Sequence, residues 1–168
     1  MCKLKLRNIY KEKDPIKKSL FNDLMPKINI RIAKKSDLDI ITSYYHKLYK
    51  GDEEQTFYNS EIAPQNFKSG NSLLIAEINS KVVGYLWFVW YEHIKYKGVA
   101  YFEELYVTDK YRKITVGKTL INEAKIMLNK LGITTIYVAV GRHMTDAQHF
   151  YNRIGFKKSG EVWFRENI

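Results

Sequence analysis

Apolar and polar residues alternate through "INIRIA" (residues 28–33), the period-two pattern of a half-buried strand. Ser36 and Asp37 then stand where a helix cap belongs, ahead of Leu38, Ile41, Tyr45 and Leu48 at helical spacing. "GDEEQTFYNSEIAPQNFKSG" (51–70) is polar and long for a simple connection, with room for a helical turn or two. Two strands follow within 71–94, joined by a hairpin turn around Asn79 and Ser80. The second contains "YLWFVWY" (85–91), which has no polar alternation and is expected at the centre of a sheet. "KGVAYFEELYV" (97–107) is a fourth strand. Val116, Leu120, Ala124, Met127, Leu128 and Leu131 share one face of a helix that Gly132 stops. "ITTIYVAV" (133–140) is a β-branched strand, and "TDAQHFYNRI" (145–154) a helix capped by Thr145 or Asp146 and ended by Gly155. "GEVWFRE" (160–166) closes the chain as a strand. The order predicts a mixed α/β sheet with helices on its faces.

Residues 1–27 break this pattern. They are basic, contain Pro15 and Pro26, and hold one short amphipathic run, "IKKSLFNDLM", so they read as an N-terminal extension to a domain spanning 28–168. At 168 residues, 45% of them apolar and 13 of them tyrosine, the chain can bury one proper core. The single cysteine, Cys2, leaves no internal disulfide and fits a reducing compartment. No stretch is long and apolar enough to span a membrane, and the N-terminus lacks the apolar centre of a signal peptide, so a cytoplasmic protein with no membrane partner is expected. Twenty-eight basic against eighteen acidic residues give a net charge of +10. That balance favours anionic partners, whether nucleic acid, an acidic surface or a highly phosphorylated small molecule. Scattered surface lysines would produce it too.

"TDKYRKITVGKTL" (108–120) narrows the choice. Its Gly117-Lys118-Thr119 resembles the end of a P-loop, but the pattern needs a glycine at position 112, where Arg112 stands. No aspartate ends "IYVAVG" to hold magnesium, which weakens a P-loop NTPase further. The segment nevertheless joins a strand ending at Val107 to a helix beginning near Val116. Unpaired amides and the positive dipole end make such a helix start an anion site, with Arg112, Lys113 and Lys118 adding charge. An ordinary basic loop before a helix is the plainer alternative. No motif combines stacking aromatics with basic residues as nucleic-acid binding would need. The histidines, His46, His93, His143 and His149, lack metal-ligand spacing, and no metal is expected.

"LYVTDKYRKITVGKTL" resembles motif A of the GNAT superfamily, the Gcn5-related N-acetyltransferases: a strand L-x-V, a turn, then [RQ]-x-x-G-x-[GA] opening a helix. "AQHFYNRIGF" (147–156) resembles the family's later signature, A-x-x-[FL]-Y-x-x-x-G-F, and "INIRIAKKSDLDII" its first strand and helix. The resemblance covers residues 28–168. It implies a mostly antiparallel sheet, splayed between two parallel strands ending at Val107 and Val140 and flanked by about four helices. It also implies acetyl-CoA in the splay. Leu105, Tyr106 and Val107 would line the pantetheine, and the amides of Arg112, Lys113, Ile114, Thr115, Val116, Gly117 and Lys118 would hold the pyrophosphate. Phe150 and Tyr151 would contact the coenzyme from the later helix. Two positions depart from the pattern. Thr115 replaces motif A's first glycine, so either the loop keeps negative φ there or coenzyme affinity suffers. Met144 stands where many relatives have an asparagine contacting pantetheine.

By the same resemblance the reaction is direct attack of a primary amine on the thioester. An alkylammonium is deprotonated about once in ~10³ molecules at pH 7, so a base or a water relay helps. Glu103 and Glu104 alternate across "YFEELYV", much as an acidic pair does in polyamine-acetylating relatives. Glu103, in phase with Leu105 and Val107, is the first candidate base, and Glu104 the second. Either could instead be an edge charge or half of a salt bridge. Tyr151 is the candidate acid at the departing sulfur, although helical spacing alone would also place it in the core beside Ala147, Phe150 and Ile154. The acceptor is a small cationic amine or a protein amine. Asp52, Glu53, Glu54 and Glu61 would attract it, or simply face solvent. The competing reading is a non-catalytic member that binds coenzyme A or a partner. The resemblance leaves a homodimer open.

Overall fold

The computed structural model describes residues 26–48, 69–92 and 98–160. Within them lies one five-stranded sheet: β1 (Asn29–Ile32), β2 (Ser69–Ile78), β3 (Lys81–Tyr91), β4 (Val99–Val107) and β5 (Thr135–Val138), neighbours in that order. The first four pair antiparallel, and β5 lies parallel to β4. A parallel pair needs a crossover. Helix α2 (Val116–Lys130) supplies it, while α1 (Leu38–Leu48) follows β1 and α3 (Thr145–Arg153) follows β5. The mixed, mostly antiparallel sheet is the one expected, with three α-helices among the described residues. The run at 16–25, most of the polar loop at 51–70 with its four acids, and the closing strand lie outside them.

β3 does take the centre. Tyr85, Leu86 and Phe88 are almost fully buried there, whereas Tyr91 at its far end is exposed. The turn into β3 uses Asn79 and Ser80 at φ 50° and 58°, the type I′ geometry that suits strand twist. Close approach of β4 fixes Gly84, since a side chain there would sit 2.6 Å from the Tyr106 carbonyl oxygen.

The sheet buries a core on each face. Leu74, Leu86, Phe88 and Phe102 pack with Val116, Leu120, Ile121, Ala124 and Leu128 of α2 and with Tyr151 of α3. On the opposite face Ile75, Tyr85 and Tyr106 pack with Ile41 and Tyr44 of α1. Helical spacing placed these faces within a residue or two. Leu38 and Leu131, expected inward, are 39% and 52% exposed, and Ile121 is buried in their stead. Leu131 misses because α2 ends at Lys130 and Gly132 turns away at φ 78°. Capping differs as well. Met144, rather than Thr145 or Asp146, precedes α3 and makes no side-chain capping bond; the turn is held by Gln148, whose Nε2 donates to the carbonyls of Gly141 and Arg142 at 3.0 Å.

Asp37 closes the turn before α1 rather than capping it alone. It accepts the Lys34 amide at 2.6 Å and a two-pronged Arg31 guanidinium at 2.8 and 3.0 Å, and Arg31 also reaches Glu77 of β2. Hydrogen bonding from Arg31 holds the Asp37 carboxyl at about 2, below its ordinary value, despite opposing desolvation. A depressed acid stabilises the fold above its unfolded pKa and loses that contribution as pH falls through the folded one. Asp37→Asn should therefore lower stability at pH 7 by about 2 kcal/mol, with the gap from wild type closing as the pH approaches 2. Thermal unfolding at both pH values checks it, and a gap that persisted at low pH would contradict the assignment.

Candidate active site

β4 and β5 part company midway. Their parallel register runs from Val99↔Thr135 to Phe102↔Val138, and β5 ends there while β4 continues to Val107. On its other side β4 remains paired with β3 out to Val107↔Gly84. Among the described residues, the stretch from Glu103 to Val107 thus has one edge without a strand. This is the splay expected of the strands ending near Val107 and Val140. Side chains of Leu105 and Val107 pack against the α2-side core, and Tyr106 is buried toward α1. Backbone groups alternate sides along β4: the Tyr106 carbonyl lies against Gly84 of β3 and the Thr108 amide donates to Val83, which leaves the backbone groups of Leu105 and Val107 on the side of the opening.

Beyond Val107 the chain makes a short turn at Asp109–Tyr111 and enters α2 at Val116. Between them Lys113 and Thr115 both adopt left-handed backbone, at φ 67° and 75°. Thr115 precedes the helix, and its carbonyl accepts the first helical amide, from Thr119, at 2.9 Å. Among the described residues the amides of Lys113, Ile114 and Thr115 find no acceptor, and those of Val116, Gly117 and Lys118 are first-turn amides. The result is an unbroken run of available donors at the positive end of a helix, the arrangement that binds oxyanions. Thr108 Oγ1, at the start of the turn, is buried without a partner. Arg112 departs from expectation. Its amide bonds Asp109, and its side chain folds back, with Nε on the Val107 carbonyl at 2.9 Å and a 2.8 Å ion pair to Asp109. Val116 and Ile114 are turned into the core, and Lys113 and Lys118 are exposed.

Thr115 settles the question its sequence position posed: the loop does take positive φ. A β-branched residue in that region is strained by roughly 1–2 kcal/mol, partly offset in a glycine variant by glycine's greater unfolded-state freedom. Thr115→Gly is expected to gain about 1 kcal/mol of stability. Denaturant unfolding measures it, and a loss would mean that the threonine side chain itself holds the loop.

α3 brings the second sequence motif to the first. A side chain on Gly117 would meet Phe150 Cζ at 3.3 Å and Leu105 Cδ2 at 3.6 Å, so glycine is what lets α3 close against the front of α2. Tyr151 is 9% exposed, edge-on to Phe150 and Phe156, and packs in the α2-side core with Phe102. Burial pushes its phenol up to about 12.

The two glutamates separate. The β3–β4 register shifts between Phe88↔Phe102 and Trp87↔Glu104, leaving Glu103 as an unpaired extra residue. This bulge breaks the phase argument, because Phe102 and Leu105, three apart, both pack toward α2. Glu103 is exposed at its tip, although desolvation by the neighbouring sheet raises its carboxyl above the ordinary value. Glu104 points to the α1 face and is only 7% exposed. Its Oε1 accepts a hydrogen bond from the Tyr85 hydroxyl, itself fully buried. Desolvation raises the Glu104 carboxyl, and the Tyr85 bond opposes that in part. Tyr151 and Glu104 therefore lie on opposite faces of one sheet. Sequence reading missed Tyr85, which inside "YLWFVWY" carries no mark distinguishing it from core.

Residues 38–156 match the acetyltransferase (GNAT) family, and the chain belongs to that family. It is 29% identical over 152 residues to an uncharacterized N-acetyltransferase of Methanocaldococcus jannaschii, covering 85% of this chain and 67% of the relative. An aminoglycoside acetyltransferase from an uncultured soil metagenomic sample, solved with trehalose, superposes with TM-score 0.70 at 17% identity, over 84% of this chain and 96% of that one. An aminoglycoside N-acetyltransferase, AAC(6')-Iy, solved in complex with CoA, superposes with TM-score 0.68 at 17% identity, over 84% and 95%. At such identities the two structures establish a shared fold. The expectation of an acetyl-CoA-dependent acetyltransferase is met at the level of family and activity. Among the described residues no group of three or more metal-ligating side chains lies together, and no helix is long and apolar enough to cross a membrane.

Proposed function

We propose that the protein transfers an acetyl group from acetyl-CoA to a primary amine, by direct attack while both substrates are bound. The observation that carries this reading is the run of free amides from Lys113 to Lys118, lying at the mouth of an unpaired strand edge. The residues present fit the coenzyme. The amides and the α2 dipole would take its diphosphate, the Leu105 and Val107 backbone its pantetheine arm, and a net charge of +10 favours a polyanion. Arg112 already occupies one lone pair of the Val107 carbonyl, so that residue's contribution is shared. Once bound, the coenzyme supplies a thioester carbonyl for the amine nitrogen to attack and a thiolate to depart.

The chain's own groups handle the protons. Glu104, on the α1 face of the opening, takes the ammonium proton directly or through a water, and Glu103 on the bulge is the alternative. Tyr151, on the α2 face, donates a hydrogen bond to the departing sulfur. Two carboxylates at the opening of an otherwise basic protein favour a cationic acceptor, such as a small amine or a lysine-like side chain. Calorimetry with acetyl-CoA, followed by thiol release over a panel of amines, tests the proposal. Binding accompanied by release with at least one amine is expected. Binding without release by any of them would leave a coenzyme-binding module.

A further inference from the structure

We propose that Tyr85 is a positioning residue for acyl transfer: from the centre of β3 its hydroxyl fixes the Glu104 carboxylate, ionised and in one orientation, beside the β4/β5 opening. The inference rests on Glu104 being the proton acceptor and adds to it the group that prepares that acceptor. Tyr85 is 0% exposed, and packing alone would be served as well by phenylalanine. Its hydroxyl is a polar group carried into the core, where such groups persist only when paired, and the partner is Glu104. Register explains the reach. Tyr85 pairs with Tyr106 and Glu104 with Trp87, so Tyr85 and Glu104 are diagonal neighbours, a separation that an aromatic side chain spans.

The donor is itself held. The Tyr85 ring stacks on Tyr106 at 5.8 Å, Tyr106 stacks on Tyr44 at 4.9 Å, and the Tyr44 hydroxyl donates to the Val82 carbonyl at 2.7 Å. This aromatic column ties the carboxylate to α1 and β3 rather than to the open edge of β4. Among the described residues the titratable and charged groups around Glu104 and its aromatic column are Tyr85 from β3, Tyr106 and Glu103 from β4, Tyr44 and Lys47 from α1, and Tyr111 and Arg112 from the turn after β4; the Lys47 ammonium is 5.3 Å from the Tyr44 ring and the Arg112 guanidinium 6.0 Å from the Tyr106 ring. None of these supplies a cation in contact with Glu104; burial raises its carboxyl, and the Tyr85 hydrogen bond opposes that rise. A buried carboxylate without a cation depends on its hydrogen-bond donor to stay charged. In the chemical step Glu104 gains the proton that the acceptor nitrogen loses, and Tyr85 keeps its own.

Tyr85→Phe removes one oxygen and leaves the ring. Without the donor the carboxyl holds its proton to higher pH, so kcat/KM at pH 6.5 should fall about tenfold while the loss at pH 9 stays within about twofold. The acidic limb of the pH–rate profile moves upward, and acetyl-CoA affinity by calorimetry stays within about twofold, which also reports that the variant is folded. An acidic limb in its wild-type position, whatever happens to the melting temperature, would reduce Tyr85 to a structural role and overturn the inference. Glu104→Gln run in parallel separates the two readings. If it moves the limb toward the pKa of the acceptor ammonium while Tyr85→Phe leaves the limb in place, only the role of Tyr85 fails. If Glu104→Gln leaves the limb in its wild-type position, the assignment of Glu104 fails and takes the inference with it.

Discussion

Tyr151→Phe should lower kcat by about one to two decades with acetyl-CoA affinity nearly unchanged, at the low end of what a positioned proton donor contributes. The size follows from the group's environment. At about 12 the phenol is a weaker acid than a thiol near 8.5, so complete transfer of its proton to the departing sulfur is uphill by roughly 5 kcal/mol. A phenol of ordinary pKa would face roughly 2 kcal/mol. Burial therefore shifts the role of Tyr151 from proton delivery toward hydrogen-bonding a thiolate as it forms, which is an electrostatic contribution. It also keeps the hydroxyl protonated across the working pH range. Loss of the hydroxyl should thus depress the rate evenly between pH 6 and 10 without displacing the acidic limb. Undiminished turnover would return Tyr151 to the core it also serves, beside Phe102 and Phe156.

Glu104→Gln is expected to be at least as damaging. Glutamine cannot take a proton, so kcat/KM near pH 7 should fall about a hundredfold and the acidic limb should move up toward the pKa of the acceptor ammonium itself. Glu103→Gln, removing an exposed charge on the bulge, should cost less than about fivefold. The reverse ranking would make the bulge residue the proton acceptor. Stability guards against a trivial explanation. Burial raises the Glu104 carboxyl, so its ionisation disfavours the fold, and the stability of the protonated state is lost as pH rises from the ordinary glutamate value through the raised one. Replacing that buried charge by a neutral amide should leave the melting temperature at pH 7 unchanged or higher. A variant that loses turnover without losing stability can be read as chemistry.

Much of the molecule was legible before any coordinates. The hairpin turn at Asn79 and Ser80, the central position of β3 and the crossover helix stopped by Gly132 all follow from local preference and spacing, and the approach of two motifs some thirty residues apart from the family resemblance. Where spacing failed, it failed for non-local reasons. The inward faces of α1 and α2 were set by which sheet residues they met, so Leu38 went outward and Ile121 inward, while Leu131 lies past the last residue of α2. The turn leading into α3 is held by Gln148, three positions inside the helix, and the residues at the helix start make no side-chain cap.

The order of elements, the strand–turn–helix that leaves amides unpaired ahead of α2, and the family are legible in the chain read alone, because they depend on residues near one another in sequence. The division of labour between Glu103 and Glu104 is not. Strand alternation assigns them opposite faces but does not register the extra residue that the β3–β4 pairing leaves at Glu103, nor the hydroxyl that β3 brings to Glu104 from nineteen positions away. A bulge arises from the fit of two strands, and a buried acid acquires its pKa from whatever surrounds it. Both exist only once the sheet is assembled.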